Sequence, residues 1–497
     1  MPAAHAATRP SFAWRPVFLV GLACVAVLLS LADRYGFHRD ELYFIVAGHH
    51  PDWGYVDQPP FAPLYSAWVT SWLGLSPLAV RVLPAISTGV VICLSGAIAR
   101  EYGGDARAQL LAAITIGLSA ILGLGHLDST ATYDVLAWTV VTWLVVRLLA
   151  GADPRLWLAA GLAAGIGLQN KHLVVLLAVG LVIGLAVSRR WDVLRSAWAW
   201  AAVGLATLIW LPNLVWQALN GFPQLGMSGV VAGRSSFEDV LMILPFQFIL
   251  AGPLLWPVFV AGLWWLLRSP AAVPWRPIGW AYLAVLAITM LVRGQLYYPA
   301  GLFPALAAAG GFVLDRWLAG GHRRLRAAAT LAATAGSGAA IAIIMLPLVP
   351  PSSLEATPLP DIYPESAEQI GWPELVDTVS RAAADLPPDE RERAVILTAN
   401  YGEAGALTLL GSDLPPVYSG HNSFADWGPP PDSLDVVMLV GHWDPLRHAE
   451  DLGSCRRAAT IRNAAGIRNQ EWEAGVWICT QPRTPWSEIW DDIAFYG

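Results

Sequence analysis

The chain has 497 residues, of which 56% are apolar and only 13% are charged, and its formal net charge is −7. A soluble protein of this length carries about twice that charged fraction. The composition therefore excludes a cytosolic enzyme, a disordered protein and a nucleic-acid binder, and it indicates a protein that crosses a membrane several times.

Charge divides the chain near residue 350. Residues 1–349 carry 21 basic and 14 acidic side chains, whereas residues 350–497 carry 9 basic and 23 acidic ones. We therefore predict a hydrophobic membrane domain over 1–349 and an acidic, soluble domain over 350–497.

Apolar runs long enough to cross about 30 Å of hydrocarbon recur along the first domain. We predict about eleven transmembrane helices, at 16–32, 78–99, 107–125, 131–150, 156–170, 172–188, 197–216, 240–267, 277–293, 297–318 and 327–349. With a cytoplasmic N-terminus, the inside segments contain fifteen basic residues and the outside segments six, as the positive-inside rule requires. We therefore expect a multi-pass inner or plasma membrane protein whose C-terminal domain is extracytoplasmic.

Two of the predicted outer loops are long. Residues 33–77 contain helix-like stretches at 40–50 and 60–75 that are rich in aromatic residues, a pattern typical of helices lying in the membrane interface. Residues 217–239 are rich in Gly and Ser and indicate a flexible loop. In the soluble domain, helical patterns at 374–385 and 402–410 alternate with short apolar runs at 394–398, 435–440 and 475–480, which predicts a small mixed α/β domain.

Charged groups at the outer ends of the spans are functional candidates, because charge is costly in a bilayer. Asp40 and Glu41 open the first interfacial stretch. Adjacent residues of a helix point about 100° apart, so one carboxylate is expected to act as a base and the other as a structural partner. The alternative, that both are N-terminal acids favoured by the helix dipole, stays open.

Lys171 is the only lysine of the chain and lies at the same predicted face. Its compact charge suits a phosphate, and the alternative is a cation that snorkels at the end of a span. Arg293, Tyr297 and Tyr298 join two spans on that face, where tyrosines also serve as membrane anchors. Carboxylates beside such cations suit a lipid-phosphate substrate: the base deprotonates an acceptor and the cations stabilise the leaving phosphate.

Cys455 and Cys479 lie in the predicted exported domain, where disulfides persist, and form a candidate disulfide. Apart from the adjacent His49-His50, interpreted as loop residues, the ten His are scattered, and the sequence contains no Walker loop and no dinucleotide fingerprint, so chemistry driven by cytosolic ATP is not expected.

Several segments resemble bacterial members of the protein mannosyltransferase and aminoarabinose transferase group of GT-C glycosyltransferases, glycosyltransferase family 39. In the membrane part they are Asp40-Glu41, Gly54-Tyr55-Val56-Asp57-Gln58-Pro59-Pro60, Arg81-Val82-Leu83-Pro84, Asp134, Asn170-Lys171, residues 212–223, Tyr297-Tyr298 and Phe303-Pro304-Ala305-Leu306. In the soluble part they are Asn400-Tyr401-Gly402-Glu403-Ala404 and Ser419-Gly420-His421-Asn422-Ser423.

The resemblance implies a mostly α, polytopic GT-C fold and inverting transfer of a sugar from a polyprenyl-phosphate-linked donor to an extracytoplasmic protein, glycan or lipid. It implies Asp40 as the acceptor base, with Glu41 nearby. The residues that it implies for the donor phosphate or lipid are Arg81, Lys171, Arg293, Tyr297 and Tyr298, and those for the substrate pocket are Asp57, Gln58, Asp128, Asp134 and Asn170. Arg293 and Gln295 stand where relatives often have Lys ahead of the paired Tyr. Metal dependence varies in this fold, so no cofactor is assigned and a divalent cation is left open.

A transporter or flippase of lipid-linked envelope precursors is the alternative function. Transporters place polar residues near the midplane on broken helices of repeated halves. Here the candidate charges cluster at one predicted face and no repeat is evident, which favours the transferase. A membrane-anchored sensor is a third hypothesis, but anchoring a sensor needs far fewer than eleven transmembrane helices.

Overall fold

The computed structural model describes residues 9–234, 236–443 and 449–497. Its contacts divide them into two compact units. The helical unit comprises the described residues up to Ser30 with Arg81–Ala218 and Val231–Leu346, and the mixed unit comprises Leu31–Val80, Leu219–Val230 and Pro347–Gly497. The mixed unit therefore joins the long loop at 33–77 to the acidic C-terminal segment, whereas the predicted division at residue 350 assigned that loop to the membrane domain.

The first 345 residues are mainly helical, and the mixed unit takes α2, α3 and most of α12 from them. In chain order the α-helices are α1 (Trp14–Leu31), α2 (Arg39–His49), α3 (Phe61–Leu73), α4 (Pro77–Glu101), α5 (Ala106–Gly117), α6 (Ala120–Leu124), α7 (Thr130–Leu149), α8 (Leu156–Leu168), α9 (Leu173–Val187), α10 (Trp191–Leu194), α11 (Ala197–Leu219), α12 (Pro223–Arg234), α13 (Phe237–Leu250), α14 (Trp256–Arg268), α15 (Arg276–Leu291), α16 (Phe303–Ala319) and α17 (Arg323–Met345). Two 3-10 turns, Pro270–Trp275 and Tyr298–Leu302, precede α15 and α16.

Within the described residues, seven helical segments are long and apolar enough to cross a membrane. They are Trp14–Leu31, Pro77–Glu101, Thr130–Leu149, Ala197–Leu219, Pro270–Leu291, Tyr298–Ala319 and Arg323–Met345. Three shorter apolar helices, α5, α8 and α9, match further predicted runs. The prediction of one span at 240–267 is wrong. This segment forms two helices, α13 and α14, with Gly252 at a φ of 100° between them.

Small residues allow helices of the helical unit to pack closely. A Cβ atom added to Gly184 of α9 would lie 2.1 Å from the carbonyl oxygen of Pro277, and one added to Gly180 would lie 2.6 Å from a methyl carbon of Val285, both in α15. Two such residues four positions apart bring backbones together, as in other membrane helix pairs.

The segment predicted as a flexible Gly- and Ser-rich loop, 217–239, is mostly helical. Pro223 opens α12, and proline suits the first position of a helix because its φ is already helical. Ser236 caps α13: its hydroxyl oxygen accepts a hydrogen bond from the backbone N–H of Asp239, and the Asp239 carboxylate accepts one from the backbone N–H of Ser236. Local helix-start signals therefore outweigh the Gly and Ser content.

The mixed unit is built on a five-stranded sheet. The strands are β1 (Ala394–Thr398), β2 (Val417–Ser419), β3 (Val436–Gly441), β4 (Ser454–Thr460) and β5 (Gly475–Thr480), in the order β2-β1-β3-β5-β4. β1 runs parallel to β2 and β3, and β5 runs antiparallel to β3 and β4. The central strands β1 and β3 are buried along their whole length, as continuous apolar parallel strands usually are.

Helices and one disulfide complete the mixed unit. Its remaining helices are α18 (Pro351–Leu354), α19 (Leu359–Ile362), α20 (Trp372–Ala384), α21 (Pro388–Glu392), α22 (Tyr401–Leu410), α23 (Ser423–Asp426), α24 (Ala449–Leu452) and α25 (Trp486–Ile493), with a 3-10 turn at Pro364–Ser366. A disulfide joins Cys455 and Cys479, which lie directly opposite each other in β4 and β5. The apolar core of this unit combines Phe37, Leu42 and Ile45 with Trp372 and strand residues, so α2 packs on the sheet domain.

Candidate active site

The start of α2 gives its two adjacent acids different roles. The N-cap residue His38 accepts a hydrogen bond from the backbone N–H of Asp40 through Nδ1 at 3.2 Å, and Glu41 Oε2 accepts one from the backbone N–H of His38 at 2.8 Å. Together these bonds form a capping box. Glu41 is fully buried in this cap, so the geometry gives it a structural role and leaves Asp40 as the carboxylate available for chemistry.

The Asp40 carboxylate is oriented by its neighbours in the mixed unit. The Tyr401 hydroxyl donates a hydrogen bond to Oδ1 at 2.8 Å, and His38 Nδ1 lies 3.9 Å from Oδ2. His38 Nε2 in turn lies 3.1 Å from Glu368 Oε2. Because 37% of the Asp40 side chain is exposed, the carboxylate is held in place and can still be reached by a reactant.

His38 and Glu368 stabilise each other's charged forms. Burial opposes a charge on His38, but the hydrogen bond to Glu368 and the nearby carboxylates of Asp40 and Glu41 outweigh it and raise the pKa of His38. Burial likewise opposes a charge on Glu368, but His38 and Arg39 outweigh it and lower the pKa of Glu368. While Nδ1 accepts from the N–H of Asp40, the ring is neutral and its Nε2–H faces Glu368, so a hydrogen-bonded pair lies beside Asp40.

Tyr401 owes its position to the sequence at the start of α22. Asn400 caps this helix and shares a capping box with Glu403. A Cβ atom added to Gly402 would lie 3.0 Å from Cβ of Arg39, and one added to Gly405 would lie 2.9 Å from Cβ of Leu42. The two glycines therefore allow α22 to lie directly against α2, which brings the Tyr401 hydroxyl to Asp40.

A second carboxylate, Asp57, lies near the first in the mixed unit. Its Oδ1 accepts a hydrogen bond from the Tyr43 hydroxyl at 3.0 Å, and the ring of Tyr43 lies 4.9 Å from that of Tyr401. Burial raises the pKa of Asp57 to about 7, although the bond from Tyr43 opposes this shift. The next residue, Gln58, is buried, and its Nε2 makes no hydrogen bond within the described part of the chain.

We expect Asp57→Asn to stabilise the protein more at pH 8 than at pH 5. The raised pKa of Asp57 means that the folded protein keeps a proton which the unfolded chain releases above about pH 4, so this stabilisation is complete below pH 4 and is lost as the pH rises through about 7. Asn cannot ionise, yet its Oδ1 can still accept the Tyr43 hydrogen bond. Between pH 5 and pH 8 the free energy of unfolding of the variant should rise by about 1–3 kcal/mol relative to that of wild type. Unfolding in detergent at the two pH values measures this difference.

The exposed Asp52 supplies the control for this experiment, since Asp52→Asn changes the same functional group near the same helix. If the difference in free energy of unfolding between Asp57→Asn and wild type does not change with pH, the raised pKa of the Asp57 carboxylate is contradicted.

In the helical unit, Lys171 lies among hydroxyl groups. It follows α8, and its Nζ donates hydrogen bonds to the Tyr297 hydroxyl at 3.0 Å and to Thr130 Oγ1 at 3.3 Å. The same Nζ lies 5.2 Å from the ring centre of Tyr297 and 5.9 Å from that of Tyr298. Asn170 Nδ2 donates to the carbonyl oxygen of Thr130 at 2.8 Å. The structure thus brings together four of the predicted residues, which come from two distant segments of the sequence: Asn170, Lys171, Tyr297 and Tyr298.

An apolar cavity of about 310 Å³ lies among α7, α8, α9, α10 and α11. Its lining includes Leu168 and Val174, which precede and follow the turn that carries Lys171 in the sequence. A cavity of this kind suits the hydrocarbon part of an amphiphile.

The other predicted residues of the helical unit have their own partners. Asp134 accepts a hydrogen bond from Trp138 Nε1 at 3.1 Å and interacts electrostatically with Lys171. Asp128 is buried and accepts one from the Tyr133 hydroxyl at 2.5 Å. The buried Arg81 lies 3.4 Å from His126, from Nη1 to Nε2. Arg293 lies after α15 in an exposed turn with a φ of 53°.

Sequence reasoning missed the partners of Asp40 among its site residues. Tyr401, the partner of Asp40, was not predicted as a site residue, although it stands in the Asn400-Tyr401-Gly402-Glu403-Ala404 segment that resembles the family. Glu368, which contacts His38, and Tyr43, which contacts Asp57, were not predicted either. A helix-cap Asn followed by an aromatic residue and two glycines three positions apart was the available signal. In the ranges that the structure describes, no group of three or more His, Cys, Asp or Glu side chains is arranged to hold a metal ion.

The chain is similar in sequence to membrane glycosyltransferases. Residues 57–216 match the family described as dolichyl-phosphate-mannose-protein mannosyltransferase. Undecaprenyl phosphate-alpha-4-amino-4-deoxy-L-arabinose arabinosyl transferase 1 of Sodalis glossinidius (strain morsitans) is 31% identical over 169 residues, which are 31% of this chain and 29% of that protein. The lipopolysaccharide core galacturonosyltransferase RgtA of Rhizobium johnstonii is 30% identical over 177 residues, 34% of each protein. The chain thus matches about a third of the length of these relatives.

The fold is similar to that of ArnT from Cupriavidus metallidurans. The apo structure of that protein gives a TM-score of 0.64 at 17% identity and covers 94% of this chain and 97% of its own. The structure bound to undecaprenyl phosphate gives 0.61 at 17% identity, with 93% and 97% covered. These similarities confirm the predicted fold, a mostly α GT-C membrane fold with a small mixed domain, and the resemblance to glycosyltransferase family 39.

Proposed function

We propose that this chain, a relative of glycosyltransferase family 39, is a membrane glycosyltransferase that moves a sugar from a polyprenyl-phosphate donor to an acceptor outside the cytoplasm. The observation that carries the proposal is the Asp40 carboxylate, which is oriented by Tyr401 and remains 37% exposed. The similarity to an arabinosyltransferase and a galacturonosyltransferase supports the class of reaction.

Asp40 acts as the acceptor base in this proposal. The acceptor oxygen attacks the anomeric carbon while its proton passes to the Asp40 carboxylate, and the bond from that carbon to the phosphate oxygen breaks on the opposite side. One displacement of this kind inverts the anomeric configuration and needs a single base. Glu41 is committed to the cap of α2, which supports Asp40 as that base.

Lys171 and Tyr297 bind the donor phosphate. Negative charge accumulates on the phosphate as its bond to the sugar breaks, and a preorganised cation with hydroxyl donors stabilises this charge. The apolar cavity lined by Leu168 and Val174 offers a place for part of the polyprenyl chain. ArnT from Cupriavidus metallidurans, which shares the fold, has been solved with undecaprenyl phosphate bound. Tyr298, Arg81 and Arg293 are further candidates for contacts to the phosphate or lipid.

We place the protein in the bacterial inner membrane with a cytoplasmic N-terminus and an extracytoplasmic C-terminal segment. The distribution of basic residues between the predicted inside and outside segments supports this orientation. One relative is named for the lipopolysaccharide core, which favours a glycan or lipid of the cell envelope as the acceptor over a protein.

The test uses purified protein, a panel of polyprenyl-phosphate sugars and an extract of cell-envelope glycans and lipids. We expect one donor to release free polyprenyl phosphate only when the extract is present, and the released lipid is quantified by chromatography. Reactions without extract control for hydrolysis. If no donor is cleaved and the protein instead moves lipid-linked sugar across vesicle membranes, the transporter is the better assignment.

A further inference from the structure

The hydroxyl of Tyr401 approaches Asp40 from a distant part of the chain. The two residues are 361 positions apart, yet the hydroxyl donates to Oδ1 at 2.8 Å. In the described part of the chain this is the one hydrogen bond from a side chain to the Asp40 carboxylate. The oxygen that Tyr401 contacts is thereby fixed, and the other faces His38 at 3.9 Å.

The ring of Tyr401 is held tightly in this position. Its centre lies 4.9 Å from the ring of Tyr43 and 4.8 Å from that of His421, and the guanidinium carbon of Arg39 lies 4.9 Å from it. Arg39 also pairs with Glu368 at 3.5 Å. With neighbours on several sides, the ring cannot turn away without disturbing the packing of α2 on α22.

Tyr401 also remains a hydrogen-bond donor at physiological pH. Burial and the nearby Asp40 carboxylate raise the pKa of the Tyr401 phenol well above its ordinary value, and Arg39 only partly opposes them. The phenol therefore keeps its proton and donates it in the hydrogen bond to the Asp40 carboxylate. A protonated phenol cannot itself act as the base that takes the proton of the acceptor.

We propose that Tyr401 is a positioning residue for Asp40, so that the C-terminal segment completes the base of the transferase, an inference that rests on the proposed function. By donating to Oδ1, Tyr401 fixes the carboxylate plane and leaves Oδ2 to take the proton of the acceptor. A hydrogen bond to an ionised group contributes more than one between neutral groups, so its loss should be measurable in the rate.

The first test is Tyr401→Phe, which keeps the ring and removes the donor. We expect the turnover number to fall about tenfold while the KM of the donor changes less than about twofold. The other groups that act electrostatically on Asp40, and must be kept intact, are His38, Arg39, Asp57 and Glu365.

The matched control is Tyr496→Phe. Tyr496 donates to Asp426 Oδ1 at 3.0 Å, so the variant loses the same kind of bond in the same unit. We expect this control variant to have the turnover number of wild type and an unchanged KM for the donor. Equal losses in the two variants, or none in Tyr401→Phe, would overturn the inference.

Two further measurements separate this inference from folding and from the proposed function. Incorporation of 3,5-difluorotyrosine at position 401 retains the ring packing and the donor, so turnover should stay close to that of wild type. A loss as large as that of Tyr401→Phe would contradict the inference, even if Tyr401→Phe folds poorly. The double variant Asp40→Asn with Tyr401→Phe should be no slower than Asp40→Asn alone. If Asp40→Asn itself turns over normally, the assignment of the base is wrong, whereas an inactive Asp40→Asn with a fully active Tyr401→Phe refutes only the role of Tyr401.

Discussion

Replacing Asp40 with Asn is expected to lower the rate of transfer about 10²- to 10⁴-fold, the range that a general base contributes. Asn keeps the shape of the side chain, and its Oδ1 can still accept the hydrogen bond from Tyr401, but it cannot take the proton of the acceptor. Donor binding should stay within about twofold of wild type, since Asp40 is not assigned to the phosphate. Single-turnover release of polyprenyl phosphate and equilibrium binding of the donor measure the two effects separately.

Asp426→Asn is the control for this variant. Asp426 also accepts a tyrosine hydroxyl, from Tyr496 at 3.0 Å, so the change removes a comparable carboxylate from the mixed unit without touching α2. Its activity should match that of wild type. Normal turnover by Asp40→Asn would exclude Asp40 as the base.

Replacing Lys171 with Met is expected to weaken donor binding about 10- to 100-fold. The variant removes the ammonium that donates to Tyr297 and Thr130, and hydrogen bonds to charged groups contribute about 1.5–3 kcal/mol each. Met retains the length and apolar stem of lysine, so helix packing should survive. Titration with polyprenyl phosphate measures the affinity, and the KM of the acceptor should change little.

Arg147→Met is a suitable comparison for Lys171→Met. Arg147 lies in the last turn of α7 and its guanidinium carbon lies 5.1 Å from the ring centre of Trp143, so the variant also removes a cation from a helix end. We expect unchanged donor affinity. If Lys171→Met weakens the binding of donor and acceptor equally, a role for Lys171 at the donor phosphate is contradicted.

The candidate site was predictable where local patterns or the family resemblance marked it. A helix that carries Asp40 was expected from its acids and aromatic residues. Lys171, Tyr297 and Tyr298 were expected from their charge and hydroxyls at one predicted face, and Asn170 was expected from the resemblance. The side chains around Asp40 were not, because Tyr401 reaches Asp40, and Glu368 reaches its neighbour His38, across more than 300 residues of chain. No periodicity within one segment reports such a contact.

The fold shows the same limit. The strands at Ala394–Thr398 and Gly475–Thr480 were expected from apolar runs, but β4 was missed because its exposed Arg456 and Arg457 interrupt the pattern. Charged residues of this kind are typical of an edge strand, where they discourage pairing with another chain. β2 spans only three residues, too few for a periodic signal. Likewise, the break at Gly252 depends on its φ of 100°, which hydropathy does not report.

The interleaved composition of the mixed unit has a consequence for biosynthesis. Asp40 leaves the ribosome early, whereas Tyr401 follows 361 residues later, and at about 5–20 residues per second this delay is on the order of 20–70 s. During that time the hydrophobic helices can enter the membrane while α2 still lacks the sheet on which it packs. The newly made protein therefore gains the hydrogen bond from Tyr401 to Asp40 only after the last residue of its helical unit, Leu346, has been synthesised.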